Sequence, residues 1–83
     1  MIHKIYSIFD SKAEAFSLPF YYQHDGQAMR QFSDWVNNPE TPYAKHPEDY
    51  TMFSVGTYNE ITGTITQDEI TSMTTGLQIK KQD

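Results

Sequence analysis

Residues 25–36 read DGQAMRQFSDWV, and the spacing of their apolar side chains decides the fold class. Ala28, Met29, Phe32, Trp35 and Val36 recur at intervals of three and four, so they line one side of an α-helix, while Arg30, Gln31, Ser33 and Asp34 face outward. Asp25 is the expected N-cap, its carboxylate accepting from the orphan amides of a first turn that Gly26 opens. Asn37, Asn38 and Pro39 end the helix. A helix with one apolar side must bury it against another layer, and the flanking sequence supplies strands.

Upstream, Ile2–Phe9 alternates imperfectly, with apolar residues on both sides, as a strand with contacts on both faces does. Asp10, Ser11 and Lys12 form a polar break. Phe16, Leu18, Phe20 and Tyr22 then recur at period two and predict a second strand; Pro19 cannot donate a ladder hydrogen bond, which places that strand at an edge or bulges it. Downstream, Pro39, Pro42 and Pro47 mark an irregular loop to Asp49. Tyr50–Tyr58 is the longest expected strand, with Thr51, Phe53, Val55 and Thr57 alternating against Tyr50, Met52, Ser54 and Tyr58. Asn59–Gly63 is a tight connection in which Gly63 suits positive φ, and Thr64–Thr66 returns as the other arm of a hairpin.

The expected architecture is therefore α+β over residues 1–66: a small antiparallel sheet in ββαββ order with one amphipathic helix packed on a face. Residues 67–83 hold only scattered apolar residues, Ile70, Met73, Leu77 and Ile79, and are expected to form a C-terminal tail, weakly docked or mobile.

Composition bounds the function. At 83 residues, 37% hydrophobic and 14% aromatic, the chain is one folded domain, and a domain this short buries only about 60–65% of its unfolded surface. With no cysteine there are no disulfides or thiolate chemistry, which suits a reducing cytoplasm, and self-association is the remaining support for stability. Lys4, Ser7 and Asp10 interrupt the apolar residues near the start, so no membrane span is expected. A net charge of −5 opposes the coating of nucleic acid by many phosphate contacts; Lys4, Lys12, Arg30, Lys45, Lys80 and Lys81 are scattered and form a basic surface only if folding or association gathers them.

The sequence carries no catalytic constellation. His3, His24 and His46 lack metal-ligand spacing, and the run His46–Asp49 (HPED) reads as a turn with a solvated acidic lip, so no metal and no cofactor is expected. Gly56 and Gly63 are strand and turn glycines without a phosphate loop around them, and no serine or threonine sits in a nucleophile motif. The aromatic residues remain. Roughly three quarters of them are expected to pack the core, since rings supply most of the buried area of a small domain. Tyr21, opposite Phe20 and Tyr22 on the pleat, is the best exposed ring; Tyr43 lies in the proline-rich loop beside Lys45, where a ring and a cation can meet a base and its phosphate. Both rings equally suit a subunit interface.

Ser7–Phe16 (SIFDSKAEAF), Phe20 and Tyr21, Asp25–Arg30 (DGQAMR) with Phe32, Val36 and Asn37, and Ala44–Phe53 (AKHPEDYTMF) with Gly56 resemble the small nonstructural protein of the gokushoviruses, single-stranded-DNA phages of the Microviridae. The likeness covers about residues 5–65, and the ungapped segments Asp10–Phe16 and Ala44–Phe53 are its most specific parts. It implies a non-enzymatic protein of the host bacterial cytoplasm that assists synthesis of single-stranded genomes by binding DNA. The family supplies no established site residues. Combined with the composition, it leads to an oligomer that lines up Lys12, Arg30 and Lys45, with Tyr21 and Tyr43, along single-stranded DNA. The alternative is a protein-interaction module contacting the phage replication initiator, a host factor or capsid precursors.

Overall fold

Ile2–Asp10 (β1), nine residues of extended chain, is the spine of an antiparallel sheet in the computed structural model, which describes residues 1–80. One edge of β1 pairs with Tyr50–Asn59 (β4), and β4 pairs in turn with Thr64–Thr75 (β5). The other edge carries two short strands, Ala15–Phe16 (β2) and Phe20–Tyr22 (β3). The single strand expected over Phe16–Tyr22 is thus split, and the ββαββ order is corrected to three strands before the helix. The break falls where Pro19 lacks an N–H. Ser17 bridges the gap: its N–H donates to Ile8 O at 2.8 Å, and its Oγ accepts from Ile8 N–H at 3.0 Å.

The helix Asp25–Val36 (α1) forms as its periodicity requires, with Ala28, Phe32 and Val36 fully buried. They meet Tyr6, Ile8 and Met52 from the facing side of the sheet, and these residues are the core. The N-cap is His24, not Asp25, and the His24 N–H donates to Gln27 Oε1 at 3.1 Å. Asp25 instead ties the helix to the sheet: its carboxylate accepts from Tyr6 Oη at 2.6 Å and from Lys4 Nζ at 3.3 Å. The Tyr6 hydrogen bond above all, then Lys4, holds the Asp25 carboxyl below its ordinary value of 3.8, against the opposing effect of partial burial. The Tyr6 hydroxyl is pushed up, mainly by its own burial and further by Asp25.

A carboxyl with a depressed folded-state pKa contributes stability above its unfolded value, and loses it as the pH falls through the folded value. Tyr6→Phe removes the donor. The expected cost at neutral pH is about 1–2 kcal/mol, at the low end for a bond to a charged group because Asp25 is half exposed. Urea titrations of both proteins from pH 7 down to below 3.8 check the sign: their stabilities should converge as Asp25 becomes protonated in the parent.

Between α1 and β4 the proline-rich loop is ordered. Thr41 caps a short helix, Pro42–Lys45 (α2), its Oγ1 accepting from Ala44 N–H at 3.3 Å, and a 3-10 turn follows at Pro47–Asp49. After the Asn59–Gly63 connection, where Gly63 takes φ +76°, β5 does not stop at Thr66 as expected. It runs to Thr75 and leads into a short helix, Gly76–Ile79 (α3), under a Thr75 cap. The reason lies in Met73 and Ile79, which pack against the core, and in Lys80, whose Nζ donates to Val36 O and Ala44 O at 3.2 Å each. A cation on carbonyls at two helix ends is favourable. Of the expected tail, residues 67–80 are therefore strand, helix and cap, while 81–83 lie outside the described residues.

One irregularity sets what the far side of the sheet displays. Ile5 pairs with Gly56 but Tyr6 pairs with Ser54, so Val55 is an extra residue that reverses the alternation of β4 beyond it. Tyr58, expected on the same side as Met52, is turned to the opposite face, in register with His3 and Ile65. Glycine is required beside the bulge, since a Cβ on Gly56 would stand 2.5 Å from the carbonyl oxygen of Thr66. Gly56→Ala is expected to cost about 1–3 kcal/mol through this overlap. Gly26→Ala, which meets nothing within 4 Å in the first turn of α1, should instead stabilise; denaturant midpoints of the two variants check the opposite signs.

Candidate nucleic-acid interface

All the helices packed on the core lie on one side of the sheet, and the other side is open. In most antiparallel sheets a solvated face is polar. Here it is aromatic. The registers place His3, Ile5 and Phe9 of β1, Phe16 of β2, Tyr21 of β3, Phe53 and Tyr58 of β4 and Ile65 of β5 on this face. Phe16, Tyr21 and Ile65 are 48%, 50% and 65% exposed. The opposite side holds Tyr6, Phe20, Tyr22, Phe32, Trp35, Tyr43 and Tyr50, so a larger share of the rings than three quarters-in-core allows is displayed outward.

The rings of the open face form two groups. Phe9, Phe16 and Phe53 touch one another at one end. At the other end the rings of Tyr21 and Tyr58 lie 6.4 Å apart at 57°, and with His3 and Ile65 they line a shallow groove of about 380 Å³. The groove continues past Pro19 and Val55 to Gln67. His3 Nε2 faces Glu60 Oε2 at 3.2 Å, so the rim holds a group that carries positive charge when protonated. The arrangement is a pair of amphipathic rings in tilted contact, against whose outer faces a flat aromatic ligand can stack.

Tyr21 stands where the pleat predicts. The other expected binding residues do not join it. Tyr43 belongs to the core side, its ring against Phe32, Trp35 and Tyr50, with centroids 4.7 Å from Tyr50. Burial, and then the charge of Asp10, push up the hydroxyls of both Tyr43 and Tyr50. Arg30 is exposed on α1 and Lys45 on α2, in the helix layer, while Lys12 is exposed in the turn after β1. These cations share a different property. Lys4 is committed to Asp25 and Lys80 to helix carbonyls, whereas Lys12, Arg30 and Lys45 form no ion pair among the described residues. Tyr58, His3, Phe9, Phe16 and Phe53 went unread as surface residues; the two-residue period hides Tyr58 because the Val55 bulge cannot be seen in it.

His46, Glu48 and Asp49 bring possible ligand atoms within 4.8 Å of one another in the 3-10 turn. His46 and Glu48 are exposed and pair with each other at 3.9 Å, the geometry of the solvated lip that the sequence suggests.

A family model described as Phage ORF5 protein matches residues 3–79. The chain belongs to the Phage ORF5 protein family. The Phage ORF5 match takes in nearly all of β1, both halves of the open aromatic face, and the β5–α3 region beyond residue 66. No curated protein and no solved structure matches the chain. Among the described residues, no helix is long and apolar enough to cross a membrane.

Proposed function

We propose that this Phage ORF5 protein is a non-catalytic, nonstructural phage protein that holds single-stranded DNA during genome synthesis in the host cytoplasm, and that it works as an oligomer. The observation that carries the proposal is the Tyr21–Tyr58 pair, two rings side by side on the sheet face away from the helices, with Tyr21 half exposed. Unpaired bases present π-faces that such rings stack on without regard to sequence, whereas the bases of a duplex are hidden. The resemblance to the gokushovirus nonstructural protein supports the same role. So does the division of the cations: among the described residues Lys12, Arg30 and Lys45 form no ion pair, and they are available for phosphates once copies sit side by side on a strand.

Fluorescence anisotropy with labelled oligonucleotides tests this directly. Binding to single strands at low salt, with weaker binding to a duplex of the same length, is the expected result. No binding at low salt, or equal affinity for duplex, rejects the proposal. A phage or host protein recovered by crosslinking in infected cells, together with indifference of the purified protein to DNA, would place the open face in a protein complex instead.

A further inference from the structure

We propose that the cavity at the Asp10 end of the helix side of the sheet binds a small organic cation, an ammonium or guanidinium group on a short alkyl stem. The cavity, of about 290 Å³, is lined on one side by the turn that joins β1 to β2 and on the other by the start of α2. Asp10, Ser17, Tyr43 and Tyr50 supply its polar groups. Ser17 Oγ is already engaged, accepting from Ile8 N–H and donating to Leu18 O. The other three have capacity left. Asp10 Oδ1 accepts from the N–H groups of Lys12 and Ala13, at 2.9 Å and 3.3 Å, which closes the turn. Its carboxylate forms no ion pair among the described residues. The hydroxyls of Tyr43 and Tyr50 have no hydrogen-bond partner among the described residues either, and since no buried polar side-chain atom there lacks one, both hydroxyls open on solvent.

These groups converge. Asp10 is in register with Tyr50, the Tyr43 ring stands edge-on to Tyr50 with centroids 4.7 Å apart, and the charge of Asp10 is felt at both hydroxyls, which burial above all pushes up. The set selects a cation. Asp10 is the one charged side chain in the lining among the described residues, so a phosphate or carboxylate meets repulsion there. A neutral apolar ligand would cover the carboxylate and leave its charge without a partner. An ammonium or guanidinium group instead gives Asp10 a charge-assisted donor, and the hydroxyl oxygens can accept its remaining N–H groups. The tyrosine rings attract a cation toward their faces, while Ala13, Ala15 and Pro42 cover an alkyl stem. Ligand pockets range from about 300 to 1,000 Å³, and a cavity at the bottom of that range takes only a small molecule or the end of a side chain.

The test is a titration of the isotope-labelled full chain with n-butylammonium chloride, read by amide chemical shifts and run without DNA, so its outcome is separate from that of the nucleic-acid proposal. Saturable shifts at Lys12, Ala13, Tyr43 and Tyr50 are expected, with a Kd of about 1 mM, as suits so small a ligand. The neutral analogue n-butanol should bind about tenfold more weakly, and sodium butyrate and sodium chloride should give no saturable shift. Asp10→Asn keeps the oxygen that accepts from Lys12 and Ala13 but removes the charge, so the fold should persist while binding falls by about tenfold or more. Tyr43→Phe combined with Tyr50→Phe keeps both rings, deletes both hydroxyls and should weaken binding several-fold. A capped lysine amide separates the two sources of the ligand: affinity equal to that of n-butylammonium assigns the cavity to a side chain of another protein, and much weaker binding assigns it to a free amine. Shifts with n-butylammonium no larger than with n-butanol, or binding that Asp10→Asn leaves unchanged, overturn the proposal.

Discussion

Phe32→Ala is expected to leave the protein largely unfolded. Phe32 has no solvent exposure and sits where α1 meets Tyr6, Ile8 and Met52, with its ring edge against Tyr43 at 6.3 Å. Truncating a buried phenylalanine removes its transfer free energy and leaves a cavity, at about 3–5 kcal/mol. Natural domains are stable by about 0.05–0.15 kcal/mol per residue, so for a chain of 83 residues that loss is comparable to the whole. The loss of a cooperative urea transition and of near-ultraviolet circular dichroism is the measurement. Leu18→Ala serves as the contrast, since Leu18 is 89% exposed and its truncation should change stability by less than about 0.5 kcal/mol. A Phe32→Ala protein as stable as Leu18→Ala would mean that α1 does not close the core as described.

The second large effect concerns affinity. Each ring stacked on a base contributes about 1–3 kcal/mol, and every 1.4 kcal/mol is a tenfold change, so Tyr21→Ala and Tyr58→Ala should each weaken single-strand binding by about tenfold. Together they should come close to abolishing it. Tyr21 is half exposed and its loss should spare the fold, which thermal unfolding of the variant checks. The salt dependence carries an independent signature. A single-stranded ligand loses about 0.7 in the slope of log affinity against log salt for each phosphate neutralised, so the three cations that form no ion pair among the described residues, Lys12, Arg30 and Lys45, contribute about −2 to the slope per protomer. Tyrosine variants should lower affinity at every salt concentration without changing that slope, whereas Arg30→Ala should make it shallower. Tyrosine variants with parental affinity would remove the open face from the binding site.

How far these features were legible in the residues differs from element to element. The α1 periodicity identified its buried side correctly, because a helix with one apolar side packs the same way against any layer. Pro19 announced irregularity at the sheet edge, though not that the strand would divide into β2 and β3 with Ser17 bonded between them. The Asp25 assignment failed for a different reason. An acidic residue before an apolar helical run fits an N-cap locally, but Tyr6, nineteen positions away, competes for the same carboxylate and holds it. The extent of β5 was illegible because a threonine-rich segment has no strong period of its own; its structure comes from the ladder that β4 offers and from Met73, Ile79 and Lys80 finding the core and the helix ends.

The same division runs through the candidate site. From its residues alone this chain is a small, acidic, cysteine-free α+β domain, rich in aromatic side chains. Those properties belong to composition and short-range periodicity, which do not depend on where the chain goes next. Which rings are inside and which are outside is a tertiary matter. Side chains alternate along a strand, so one extra residue at Val55 exchanges the faces, turning Tyr58 from the core side to stand beside Tyr21. Only the pairing of three strands brings Phe9, Phe16 and Phe53 together, and only the long-range contacts of Lys4 and Lys80 decide which cations remain available to a ligand.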